Sequence, residues 1–209
     1  YIIDNFYQPK SSKNIVSVYM NSINEQSNVF NYIENKYHLD EMQTLFNISS
    51  SDFMKMLNIC CVKKNYEIFC KLFEFIKKTF SIVDFTEQFL EACYAGSEEI
   101  YQYLVDNKIF INFSEVLNKN KNIFQGNWKI ALKMLDIINS EMKPTLSRLF
   151  FNEAVNNKNK EAFKALMSDN LNDNQLLLKA AKFHDIELVN IVLQHNSKPE
   201  FVNQIFKEG

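Results

Sequence analysis

The chain has 209 residues, 46% hydrophobic and 23% charged, and a net charge of −2. Three glycines and three prolines are too few for an all-β protein, whose tight turns need residues that tolerate positive φ or preset it. Arg148 is the only arginine, whereas nucleic-acid binders show a basic excess with arginines placed for bidentate contacts, so no nucleic-acid partner is expected.

Cys60, Cys61, Cys70 and Cys93 form no C-x-x-C pair, and three of them crowd into one apolar stretch, so reduced, buried thiols are expected and not a disulfide framework. No uninterrupted apolar run reaches about 18 residues, so no membrane-spanning helix and no membrane partner are expected. The chain starts at Tyr1 without Met and ends on Lys207-Glu208-Gly209, which leaves room for a longer protein and a lost targeting address. The cytosol is the default compartment. Asn47-Ile48-Ser49 matches a glycosylation sequon, a cheap match in an Asn-rich chain.

Taken in chain order, one unit recurs: an apolar helix ending in small or apolar residues, a short polar turn, and a second helix closing on adjacent apolar residues. A weak first copy centres near Asn24, with Tyr19, Met20, Val29, Tyr32 and Ile33 as its apolar positions. Ser49-Ser50-Ser51-Asp52 then predicts a cap for a helix beginning near Phe53, because such side chains accept from the free first-turn amides. That helix carries Met56-Leu57-Asn58-Ile59-Cys60-Cys61, the turn runs from Val62 to Tyr66, and Glu67 to Phe73 form the partner helix.

The next copy reads Phe89-Leu90-Glu91-Ala92-Cys93, turn Tyr94 to Glu98, then Glu99 to Val105. A degenerate copy between 113 and 138 turns at Gly126-Asn127 and sets Ile130, Leu132, Met134 and Leu135 on its second helix. Phe150 to Val155, Asn156 to Lys160 and Glu161 to Met167 make another. The last reads Leu176 to Ala181, Lys182 to Asp185 and Glu187 to Leu193. The turns recur every 26 to 32 residues, roughly, against about 33 for an ankyrin unit. Each pair has one apolar side that it cannot bury alone, and stacking neighbours gives a continuous core. Glu at the start of the second helix favours the positive end of the helix dipole.

These residues resemble the ankyrin repeat family, whose unit reads roughly L-x-x-A-A-x-x-G-x-x-E-I-V-x-x-L-L. Leu177 to Leu193 match it best, followed by Ala92 to Val105 with Gly96 at the turn. The chain is similar in particular to the divergent Asn- and Lys-rich ankyrin-type domains of protozoa with AT-rich genomes. The resemblance covers about 53 to 196, and it implies an all-α solenoid of five to six divergent repeats forming a single domain over 1–209. In that division 1–48 is a divergent N-terminal unit, 53–196 holds the core repeats, and 197–209 is a cap or a truncated repeat, with a last helix near Glu200 to Phe206. The T-P-L-H tetrapeptide is absent, and Lys or His replaces most turn glycines, which puts the family's β-hairpin projections in doubt. A HEAT- or TPR-like array is the competing reading.

Chemistry-bearing groups are sparse. His184 falls where the repeat puts its turn glycine and His195 just past the following helix, so a turn residue and a dipole-favoured cation explain them better than a zinc site with no third ligand. Cys60 and Cys61 are adjacent, so on a helix they point about 100° apart and do not face one another. There is no Gly-rich phosphate loop, no G-x-S-x-G and no H-E-x-x-H, so no enzyme, no cofactor and no metal are expected. Glu98-Glu99 and Asp40-Glu41 belong to turns or helix starts. Lys77-Lys78 and Lys119-Asn120-Lys121 read as solvated loops, and Tyr66, Tyr101 and Tyr103 as second-helix packing or outer-face residues.

The resemblance further implies a concave face made of first helices and their turns. The two residues before each turn glycine point into it: Val62 and Lys63, Tyr94 and Ala95, Phe124 and Gln125, Asn156 and Asn157, Lys182 and Phe183. Tyr94, Phe124 and Phe183 would be aromatics placed toward solvent, as in a binding hot spot, or rings completing the array's own core. A non-catalytic module holding another protein is the expected function. The alternatives are a structural subunit of a large assembly and a fragment of an enzyme or effector with its catalytic domain elsewhere.

Overall fold

The computed structural model describes residues 17–18, 20–23, 27–36, 38–81, 83–109, 111–170 and 175–195. Among the described residues every regular element is helical and there is no strand. The chain divides into two compact units, 1–112 and 113–209.

In the first unit α1 (Ser27–Lys36) and α2 (Leu39–Phe46) precede two helix pairs, α3 (Ser50–Lys63) with α4 (Tyr66–Thr79) and α5 (Thr86–Ala95) with α6 (Glu98–Asp106). The predicted serine–aspartate cap is present, with Ser49 as N-cap, so α3 starts three residues before the expected Phe53. Each pair packs internally; α3 also packs on α5 and α4 on α6, like helix against like. The core between them is aromatic: Phe53 meets Phe75 at 5.0 Å between ring centroids, Phe73 meets Phe85 at 4.6 Å, and Phe89 meets Tyr101 at 5.4 Å. Such rings bury more area per residue than any aliphatic side chain, which suits short helices with few layers.

The second unit holds α7 (Phe113–Gly126) with α8 (Trp128–Ile137), α9 (Lys143–Asn156) with α10 (Lys160–Met167), a 3-10 turn at Ser168–Asn170, and α11 (Leu176–Ala181) with α12 (Ile186–His195). Again the first helices α7 and α9 pack on each other. Pro144 sits in the first turn of α9, where its missing N–H has no partner to lose. The pair α11–α12 is tied to α9–α10 by Lys179, which donates to Asn152 Oδ1 at 2.8 Å, and by Lys160, which pairs with Asp185. Half-buried Trp128 is the first residue of α8, with the Lys129 ammonium 5.7 Å from its ring centroid.

Of the weak first copy, Tyr19 and Asn24 lie outside the described residues, as do the side chains of Val29 and Ile33; Met20 is half-buried and Tyr32 exposed. The expected final helix near 200–206 also lies outside them. Lys77 and Lys78 end α4, and 119–121 lie within α7. Both clusters are helical, a correction to the loops expected of them, because buried apolar residues at helical spacing adjoin each: Phe73 and Ile76 before 77–78, and Val116 and Ile123 on either side of 119–121. No described helix is long and apolar enough to cross a membrane.

Candidate interaction surface

The turn between paired helices carries a left-handed residue four times, and three of the four close in the same way. Lys64, Gly96, Lys158 and His184 all sit in the left-handed region, at φ 57°, 70°, 51° and 52°. Four residues earlier stand Cys60, Ala92, Ala154 and Ala180, all without exposed surface. The N–H one residue past the left-handed position closes on that small residue's carbonyl: Asn65 on Cys60 at 2.9 Å, Ser97 on Ala92 at 2.9 Å and Asn159 on Ala154 at 2.8 Å. This double turn satisfies the carbonyls that the helix end leaves over.

The same residue then starts the second helix. Asn65, Asn159 and Asp185 accept with their side-chain oxygens from the N–H groups of Ile68, Ala162 and Leu188. Ser97 departs from this: its hydroxyl donates to the Cys61 carbonyl of the preceding pair and links the two pairs. So Lys64 and Lys158 take the same left-handed, doubly closed turn as Gly96.

That geometry fixes where the ten expected face residues stand. Val62 and Tyr94, each two residues before a left-handed position, are 53% and 52% exposed, and Lys63 beside Val62 is open to solvent. Val62 and Lys63 end α3 and Tyr94 nearly ends α5; these helices are neighbours. Ala95 is half-buried. In the second unit Asn156, Asn157 and Lys182 are exposed, although Asn157 folds back to donate to the Glu153 carbonyl at 2.8 Å. Phe183 is half-buried with its ring 5.0 Å from that of Phe163, so it is shared between surface and core.

Phe124 is a correction. It is 3% exposed and lies 5.7 Å from the Phe150 ring. Here α7 stays helical through Gly126 and gives way at once to Asn127, whose side chain caps α8 by accepting from Lys129 and Ile130. With no left-handed residue, position 124 keeps the inner face of its helix. Its neighbour Gln125 is exposed.

Other groups fall as follows. All four cysteines are free thiols; Cys60, Cys61 and Cys93 are buried and Cys70 half-buried. Burial pushes the first three thiols far above the ordinary thiol range, which leaves almost no thiolate to react. His184 is an exposed turn residue and His195 ends α12. Among the described residues no group of three or more His, Cys, Asp or Glu is placed to hold a metal ion. Tyr101 is buried and Tyr66 exposed, its ring 5.8 Å from that of Tyr103. The Tyr103 hydroxyl donates to Glu74 at 2.6 Å, and burial together with that bond raises its pKa.

Two features had no sequence signal. Gln88, fully buried between α3 and α5, donates to Asn58 Oδ1 at 2.7 Å, but its own Oε1 has no partner among the described residues. Leu178 and Ile186, in the last described pair, are 49% and 81% exposed. Leu178 lies in the apolar run 176–181 and Ile186 just ahead of the expected second helix, and only the placement of neighbouring helices reveals their exposure. Comparison with protein-family models, with curated proteins and with solved structures finds no match.

Proposed function

We propose that the chain is a divergent ankyrin-type α-solenoid, without catalytic activity, that holds another protein against the face formed by first-helix ends and turns. One observation carries the reading: Val62 and Tyr94 occupy the same place in consecutive turns, and both expose large apolar side chains. Monomeric surfaces scatter such residues singly, whereas an aligned apolar–aromatic pair flanked by Lys63 has the make-up of a hot spot. In this reading Lys63, Gln125, Asn156, Asn157, Lys182 and the outer part of Phe183 supply the polar surround, and Phe124 belongs to the core. The cytosol is the compartment this reading assigns, because four unpaired thiols fit a reducing environment.

The test pairs capture with melting. Val62→Ser and Tyr94→Ala should each weaken capture of the bound protein by about tenfold, in the range of hot-spot truncations, and shift thermal melting little. Loss of melting temperature in step with loss of capture would put both side chains in the fold's own packing and end the reading.

Leu178 and Ile186 favour a second reading, a subunit held permanently in a larger assembly. Their positions in the previous pair are filled by Asn152 and Lys160, which contact the next pair. Sedimentation separates the two readings: a monomer supports the interaction module, and self-association without partners supports the subunit.

A further inference from the structure

A cavity of about 260 Å³ opens in the first unit where α4 and α6 end. Its apolar wall is Phe80, Phe85 and Ile109, and its polar wall is Lys77, Asn107 and Lys108. Among the described residues no carboxylate lines it. Elsewhere in the same unit Lys71 is neutralised by Glu34 and Glu67, and in the second unit Lys160 by Asp185 and Glu187. Lys77 has instead a contact of 3.5 Å to the neutral Asn107 Oδ1 and a position 5.2 Å from the Phe73 ring centroid. Lys108 is held at φ 51° with its backbone N–H donating to the Val105 carbonyl at 2.9 Å, while its exposed ammonium has no ion pair among the described residues. Two ammonium groups beside an apolar wall are thus left, among the described residues, without counter-charge in a chain that is acidic overall.

We propose that this cavity binds a carboxylate attached to a small apolar body, such as one ring on a short chain. The volume falls below the roughly 300–1,000 Å³ of drug-sized sites, which limits the ligand to that size. Both helices present their C-terminal ends here, where leftover carbonyls repel anions. That repulsion disfavours a doubly charged phosphate and explains why one lysine would not suffice. A carboxylate takes over the long Lys77 contact as a charge-assisted bond, while the apolar body covers Phe80, Phe85 and Ile109. The carboxylate could belong to a free acid or to the C-terminus of a peptide.

The site stands apart from the Val62–Tyr94 face and does not depend on it. The test is amide NMR titration of the full chain with 3-phenylpropionate, its neutral amide, inorganic phosphate, and a short peptide ending in Phe as free acid or as C-terminal amide. Phenylpropionate should shift the amides of Lys77, Asn107, Lys108 and Ile109. Lys108→Gln should weaken it about threefold, as expected for one exposed pair, and Lys77→Gln with Lys108→Gln about tenfold, with helical content and melting unchanged. Tighter binding of the free-acid peptide identifies a peptide terminus as the source; phenylpropionate binding with an inert peptide identifies a free acid, and either upholds the site. Equal binding of acid and amide, phosphate binding as well as phenylpropionate, shifts elsewhere in the chain, or no effect of the lysine changes would overturn it.

Discussion

At the scale of single residues, the start of α3 shows how much one side chain can do. The Ser49 hydroxyl donates to Asp52 at 2.7 Å and accepts from its backbone N–H at 3.2 Å, and Asp52 reaches back to the Ser49 N–H at 3.3 Å. The bond from Ser49 holds the Asp52 carboxyl below its ordinary 3.8 against the opposing effect of burial, with help from Lys55. A carboxylate whose pKa is lowered on folding stabilises the fold fully above its ordinary value and ceases to do so as pH falls through the lowered one. Asp52→Asn should therefore cost about 0.5 kcal/mol at neutral pH, the worth of one carboxylate in a helix's first turn, and urea melts of variant and parent should converge in acid below the lowered pKa. A pH-independent difference would mean that the cap works without the charge. The run of three serines and an aspartate made this cap legible from sequence. Phe124 was not legible, because the exposure of a ring depends on whether the helix beneath it ends, and the letters at 122–127 contain the Gly of a turn without its geometry.

At the scale of elements, the left-handed turn sets where each first helix stops. Residues other than glycine adopt that region at a cost of about 1–2 kcal/mol, yet Lys64, Lys158 and His184 do so. Lys64 and Lys158 are held there by the double turn onto Cys60 and Ala154, and His184 by a single bond from its N–H to the Ala181 carbonyl at 2.9 Å. Gly96→Ala should destabilise the first unit by about 1 kcal/mol, and Lys158→Gly should stabilise the second by several tenths up to about 1 kcal/mol, since glycine's greater freedom when unfolded takes back part of the gain. Chemical denaturation checks both signs, and a stabilising Gly96→Ala would contradict the shared backbone geometry. These turns could be placed from sequence despite the missing glycines because the small residue four positions earlier and the Asn, Ser or Asp one position later survive in each copy. Only the pair α7–α8 lacks that small residue, with Asn122 at the corresponding place, and there the register failed.

At the scale of the molecule, the division after Asn112 was invisible in the sequence. Turn spacing runs on from 96 through 126 to 158 without a gap, so periodicity alone describes one array. Each unit buries its own aromatic cluster, around Phe53, Phe73 and Phe89 in the first and around Phe150, Phe151 and Phe163 in the second. Polypeptides 1–112 and 113–209 should therefore each give a helical circular dichroism spectrum and a sigmoidal melt. A featureless, non-cooperative melt from either would show that its core needs the other half. The position of the chain's single tryptophan has a practical consequence: the only indole, Trp128, belongs to the second unit. Its emission maximum follows that unit alone while far-ultraviolet ellipticity sums both, so the uncut chain carries its own optical label for which half gives way first.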